Sequence, residues 1–236
     1  MKSEYKFLVG GEWRTSDEVS EVRFPYTDEL VARVYQATDK DLEDAVVSAQ
    51  KGFEITRKLP SHKRSKILYA LLDQMEKRGE EIIETLIMEG GKARSVAIAE
   101  YLRAKETIRT SAEEAKRVGG EVVPIDWTEL GENRIGIVRR FPIGIVLCIS
   151  PFNYPLNLSC HKVGPAMAAG NSFILKPASA TPLSGLLLGE MILEAGFPPE
   201  AVNVVTCRGS KAEKLVADPR IAFFTFTGSS EVGWYL

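Results

Sequence analysis

Phe141-Pro142-Ile143-Gly144-Ile145-Val146-Leu147-Cys148-Ile149-Ser150-Pro151-Phe152-Asn153-Tyr154-Pro155 decides the fold. Residues 143–149 are apolar apart from Gly144, a run that suits a strand buried on both faces. Pro151 and Pro155 stop that strand and bracket Phe152-Asn153-Tyr154 in a rigid turn. The spacing then predicts a helix over 156–169, ended by Gly170-Asn171, and a second buried strand over 172–175. Lys176-Pro177 follows at the carboxyl end of that second strand. One βαβ unit results, with polar residues at the carboxyl ends of both strands, which is the edge where open parallel sheets bind ligands.

Working outward, helix and strand alternate from 143 to the end, with helices expected over 182–195 and 211–217 and strands over 201–205 and 221–226. That alternation implies an α/β fold with a parallel sheet. A helix is expected to start near 231. Upstream, 7–13 reads as a strand and turn, and 30–37 as a strand. Thr38 with Asp41 forms an approximate capping box for a helix over 39–55, with Leu42, Ala45, Val46, Ala49 and Phe53 inward. Ser61 is expected to cap a helix over 62–78, and Gly79 separates it from another over 80–89. Gly90-Gly91-Lys92 reads as a turn. A long helix over 93–118 follows, with Val96, Ala99, Leu102, Ile108, Ala112 and Ala115 as its apolar spacing and interleaved charges that place it over the surface. Residues 121–125 and 135–140 read as a hairpin with a long polar tip.

Composition bounds the function classes. The chain has 236 residues, 44% hydrophobic and 26% charged, enough for a sizeable core. A net charge of −2 gives no footprint for nucleic acid. No apolar run reaches membrane-spanning length, and no secretory signal is visible. Three cysteines, an odd number at 148, 160 and 207, and only two histidines, His62 and His161, give no metal spacing. A cytoplasmic, reducing location is the expectation.

Local chemistry leaves alternatives open at several positions. Phe226-Thr227-Gly228-Ser229-Ser230 between a strand and a helix suits a phosphate, or is a plain N-cap. Asn153 is an oxyanion donor or an Asx-turn residue. Lys176 is a ribose or phosphate donor, or a solvated lysine.

The chain resembles the aldehyde dehydrogenase superfamily. The resemblance rests on Ser150-Pro-Phe-Asn-Tyr-Pro155, Gly164-Pro-Ala-Met-Ala-Ala-Gly-Asn171, Leu175-Lys-Pro-Ala178, Glu194-Ala-Gly-Phe-Pro198 and Phe226-Thr-Gly-Ser-Ser-Glu-Val-Gly233, in that order. Within the superfamily it is nearest in character to non-phosphorylating glyceraldehyde-3-phosphate and lactaldehyde dehydrogenases. The resemblance implies a Rossmann-like sheet flanked by helices, with a protruding β-hairpin at 119–140 that pairs subunits into a homodimer or homotetramer. Residues 1–118 and 141–236 would form an NAD(P)-binding domain, incomplete at its end.

It further implies NAD or NADP as cofactor, held by Ile149, Ser150, Pro151 and Phe152 on the first strand end. Lys176 would hold the ribose with Ser179 beside it, the Phe226-Thr227-Gly228-Ser229 segment would meet the pyrophosphate, and Ala178, Gly209 and Val232 would also bind the cofactor. Many NAD-preferring members carry Glu where this chain has Ser179, and Ser does not repel a 2′-phosphate, so NADP stays open. Asn153 would form the oxyanion hole and Tyr154 would line the aldehyde tunnel. Lys162 would assist proton transfer, although as an isolated feature it reads as a solvated helix lysine. Arg103 would meet a substrate phosphate, although alone it reads as an exposed helix arginine. The family's nucleophilic cysteine and general-base glutamate lie downstream of the Phe-Thr-Gly-Ser segment. The expectation is therefore a cofactor-binding portion with the catalytic domain absent, inactive alone. Rival readings are a CoA-acylating or acyl-phosphate reductase on the same fold, and a non-catalytic nucleotide-binding or subunit-pairing module.

Overall fold

A computed structural model describes residues 2–236. The chain enters through β1 (Glu4–Tyr5) and a tight hairpin of β2 (Phe7–Val9) and β3 (Glu12–Arg14). Gly10 and Gly11 make the turn with φ of 59° and 83°, a region glycine enters at little cost. β4 (Val19–Arg23) and β5 (Leu30–Tyr35) pair antiparallel, and β1 joins β5 in parallel to complete a small three-stranded sheet.

Four helices follow: α1 (Asp39–Thr56), α2 (Ser61–Lys77), α3 (Gly79–Gly90) and α4 (Arg94–Glu114). The expected capping box forms, with Asp41 accepting the Thr38 N–H at 2.9 Å and Thr38 Oγ1 accepting the Asp41 N–H at 3.3 Å. Ser61 does not cap α2; Pro60 stands at that position and no side chain supplies the bond. The buried face of α4 also differs from expectation. Ala97, Glu100, Ala104, Ile108, Ser111 and Ala112 face inward, while Val96 and Leu102 are exposed. Small residues let the inner face of α4 lie close against α2, α3 and α5, while Arg94, Val96, Leu102, Arg103 and Arg109 on its outer face are exposed, so the helix does lie over the surface.

β6 (Gly120–Val123) and β7 (Gly136–Arg139) form the expected hairpin, with a 3₁₀ turn at Glu129–Gly131 in its tip. The unit anticipated from the opening stretch then forms: β8 (Ile145–Ile149), α5 (Pro155–Ala168) and β9 (Ser172–Lys176). α6 (Leu183–Glu194), β10 (Val202–Val204), α7 (Gly209–Val216), β11 (Ile221–Phe226) and α8 (Ser230–Tyr235) complete it.

The main sheet has the order β11-β8-β9-β10-β2-β3. Its first four strands are parallel, but β2 runs antiparallel to β10, so the sheet is mixed. β10 is short and its outer edge would otherwise be bare; the wholly buried Phe7-Leu8-Val9 strand covers it. Asn203 Oδ1 accepts the Gly10 N–H at 2.9 Å and fastens the hairpin there. Strand pleating sorts the two cores. Val146 and Cys148 face the layer of α2 to α6, while Ile145, Leu147 and Ile149 face α1 and α7. From β8 the chain steps to β9 and β10 on one side and returns to β11 on the other. The strand order therefore switches beside β8, and a crevice opens at the carboxyl ends of β8, β9 and β11.

Candidate functional site

α5 starts at Pro155, whose missing N–H suits a first helical position. The turn before it leaves Phe152 and Asn153 exposed. Asn153 Oδ1 accepts the Tyr154 N–H at 3.0 Å. The two readings of Asn153 are thus compatible, since its oxygen serves the turn while its amide NH₂ has no protein partner among the described residues. Ser150 is buried, with its hydroxyl 2.9 Å from Ser159 Oγ, and its N–H donates to the Lys176 carbonyl at 3.2 Å.

Lys162 and Lys176 overturn the solvated-lysine reading. Lys162 is 5% exposed and donates to Thr227 Oγ1 at 2.6 Å, joining α5 to the end of β11. Lys176 is 6% exposed, and its Nζ donates to the Pro177 carbonyl at 3.2 Å. Burial lowers the pKa of both ammonium groups. Thr227 N–H donates to the Ile149 carbonyl at 3.2 Å, which closes the β8 and β11 ends together. Ser179 is exposed and donates to the Cys207 carbonyl at 3.4 Å, beside the exposed Gly209 that opens α7. Ala178 lies between Lys176 and Ser179, half-buried.

Ser229 is the N-cap of α8, its Oγ accepting the Val232 N–H at 3.3 Å. That matches the plain capping reading, while the hydroxyl proton stays free to donate. Phe226, Thr227, Gly228 and Ser229 line an open cleft of ≈ 460 Å³ with Trp234. Arg103 is exposed, as its isolated reading had it, with its guanidinium 5.7 Å from the Tyr154 ring centroid. A larger cleft of ≈ 730 Å³ between α4 and α5 is lined by Arg103, Thr107, Ser111, His161 and Pro165.

The thiols are inert. Cys148, Cys160 and Cys207 are free and buried, and burial pushes all three thiol pKa values up, that of Cys148 to about 12. None offers a thiolate at neutral pH.

The model of the aldehyde dehydrogenase family matches residues 13–236. The chain belongs to the aldehyde dehydrogenase family. Over 231 residues it is 42% identical to the 3-sulfolactaldehyde dehydrogenase of Priestia megaterium, covering 98% of this chain and 48% of that protein. It is 36% identical to the NADP-dependent glyceraldehyde-3-phosphate dehydrogenase of Streptococcus equinus, covering 100% of this chain and 50% of that one. Among solved structures it resembles aldehyde dehydrogenase 21 from Physcomitrella patens in complex with succinate, with a TM-score of 0.96 and 37% identity over 100% of this chain and 49% of that one. The NADP-dependent glyceraldehyde-3-phosphate dehydrogenase of Bacillus halodurans, complexed with NADP, gives 0.95 and 36% over 99% and 50%. The chain spans about half the length of the curated relatives it matches.

The chain also holds charged residues that sequence reasoning passed over. Glu89 accepts the Leu183 and Ser184 N–H groups of α6 at 2.7 and 3.1 Å, and burial pushes its carboxyl up to about 7. Glu100 accepts the Leu156 and Asn157 N–H groups of α5 at 3.0 and 3.1 Å and pairs with Lys92. A signal for both was available. Tyr154 and Pro182, the residues at the two N-caps, make no side-chain cap hydrogen bond among the described residues, so those N–H groups needed an acceptor from elsewhere.

Proposed function

We propose that this chain is the cofactor-binding portion of an NADP-accepting aldehyde dehydrogenase, whose whole protein oxidises an aldehyde to a carboxylic acid. The carrying observation is the convergence of Asn153, Lys162–Thr227 and Lys176 at the carboxyl ends of three adjacent parallel strands. Lys176 also fits a nucleotide on its own terms. It is a buried ammonium with a single protein acceptor among the described residues, so its remaining donors want hydroxyl or phosphate oxygens. NADP, when bound, supplies the hydride acceptor. This chain's residues do the rest of the work on this side of the site. The turn presents the Asn153 amide to an oxyanion formed when a cysteine outside this chain attacks the aldehyde. Lys162, with its lowered pKa, holds a proton close to Thr227.

The substrate side supports an aldehyde carrying an anionic group. Arg103 and His161 line the α4–α5 cleft near Tyr154, and the relatives named above include enzymes of sulfonated and phosphorylated aldehydes.

The test is NAD(P)H formation by the whole protein over a panel of anionic and neutral aldehydes. Activity with NADP is expected, and none from this chain alone, because its thiols stay protonated. Ser179→Glu should lower kcat/KM for NADP by about tenfold or more relative to NAD, because the carboxylate repels a 2′-phosphate. Strong NAD preference unaltered by Ser179→Glu would contradict the NADP assignment.

We further propose that residues 119–140 pair copies of the chain. Val122, Trp127, Leu130, Ile135 and Ile137 stand 70–83% exposed on the hairpin, an apolar surface that a subunit partner would cover. Sedimentation of the whole protein carrying Val122→Lys and Ile137→Lys should show dissociation toward monomers. An unchanged oligomer would remove the hairpin from the interface.

A further inference from the structure

We propose that Glu100, clamped by Lys92, is a positioning residue for Asn153: it caps α5 from a neighbouring helix and so fixes the turn that presents the Asn153 amide. The inference rests on the oxyanion reading of Asn153 and extends it to residues that touch neither aldehyde nor cofactor.

Asn153 has little holding it directly. It is exposed, and among the described residues its one hydrogen bond is accepted from the adjacent Tyr154 N–H. Its position is therefore set by what anchors the next few residues. Pro155 has no N–H, and Leu158 N–H reaches back to the Tyr154 carbonyl at 2.9 Å. The Leu156 and Asn157 N–H groups are left over. Both residues are buried, so water cannot satisfy them, and an unmade bond there is costly.

Glu100 Oε1 accepts both bonds. Its other oxygen pairs with Lys92 Nζ. The same ammonium lies 4.5 Å from the Tyr154 ring centroid. One buried pair therefore holds the residue after Asn153 through its ring and the first helical turn through its backbone. Glu100 is 0% exposed, so its charge is tolerated only because two N–H groups and an ammonium compensate it. Gly91, with φ of 61°, ends α3 and turns the chain into the segment that carries Lys92. A bare N-cap and a distant carboxylate also occur at α6, but among the described residues Glu89 has no cation paired with it, and no reactive turn lies ahead of α6.

A shift of the turn by a fraction of an ångström moves the Asn153 donor off the oxyanion while leaving the Lys176 side of the cofactor site in place. The experiment uses the whole enzyme, with Glu100→Gln, Lys92→Gln and Asn153→Ala singly and the first two each combined with Asn153→Ala. Single-turnover hydride rate, aldehyde KM and NADP affinity are measured for each. Glu100→Gln should lower the hydride rate by about tenfold or more, with NADP affinity little changed, as expected for a misplaced catalytic group. In the Asn153→Ala background the same change should have almost no further effect, since the group it positions is gone. Lys92→Gln should follow the same pattern more weakly, and it carries the test if Glu100→Gln does not fold. If Asn153→Ala lowers the rate but the Glu100 and Lys92 changes leave it unaltered, or multiply it fully in both backgrounds, the positioning role is overturned and the oxyanion reading stands. If Asn153→Ala itself leaves the rate intact, the oxyanion reading fails and the positioning role falls with it.

Discussion

Asn153→Ala in the whole enzyme is expected to lower kcat by about two to three powers of ten, the usual cost of one oxyanion donor, with NADP affinity nearly unchanged. The geometry separates the two effects. Asn153 spends its oxygen on the Tyr154 N–H and keeps its NH₂ uncommitted. Loss of the turn bond costs little, because Pro151 and Pro155 restrict the backbone around it and Glu100 holds the helix behind it. Loss of the NH₂ matters most when the carbonyl oxygen gains charge, so it acts on the transition state more than on binding. The proposed ribose and pyrophosphate contacts lie on β9 and β11, across the crevice. Steady-state and single-turnover measurements decide the matter. A variant that loses NADP affinity and retains its hydride rate makes Asn153 a turn residue alone.

Much of the fold was legible where the chain marks its own boundaries. β11 was expected over 221–226 and forms Ile221–Phe226. β8 lies within the expected 143–149, and α5 starts one residue early because Pro155 is itself a favourable first helical residue. The capping box of α1 was legible because both partners are local. What could not be read locally depends on distant partners. Lys162 reads as solvated until Thr227, 65 residues on, is brought against it. Glu100 reads as one more charge on α4 until the start of α5 arrives above it. An average lysine or glutamate is exposed, so sequence alone favours the wrong environment at each. The mixed sheet was missed for a related reason: 7–13 announces a strand and turn, but nothing in it names β10 as the edge it covers.

Gly52→Val is expected to destabilise the protein by about 3 kcal/mol, the upper part of the range for overpacking a filled interface. Leu42, Ala45, Val46 and Ala49 are buried on α1 as expected, but the series continues through Gly52 and Thr56, while Phe53, expected inward, is half-buried. That series keeps helical spacing throughout, so period was the better guide than hydrophobicity. Glycine stands there because α1 crosses the short turn Pro199–Ala201 that leads into β10. A Cβ on Gly52 would come within 2.4 Å of the Ala201 N and Cα and 2.6 Å of the Glu200 carbonyl carbon. These are backbone atoms and cannot rotate aside. The Glu200 carbonyl is held by Ser48 Oγ at 3.0 Å, and Asn203 Nδ2 donates to it at 3.3 Å and to the Phe173 carbonyl at 3.3 Å. Moving the turn would therefore loosen α1, β9 and β10 together. Even Gly52→Ala should destabilise, although alanine gains about 1 kcal/mol over glycine in an unhindered helix. Gly209→Ala is the control, because a Cβ there meets nothing within 4 Å and its stability should hold or rise. Thermal and urea unfolding of the whole protein measure all three. Gly52→Val melting with the parent would show that the turn before β10 yields, and that the close crossing of α1 is not what requires glycine.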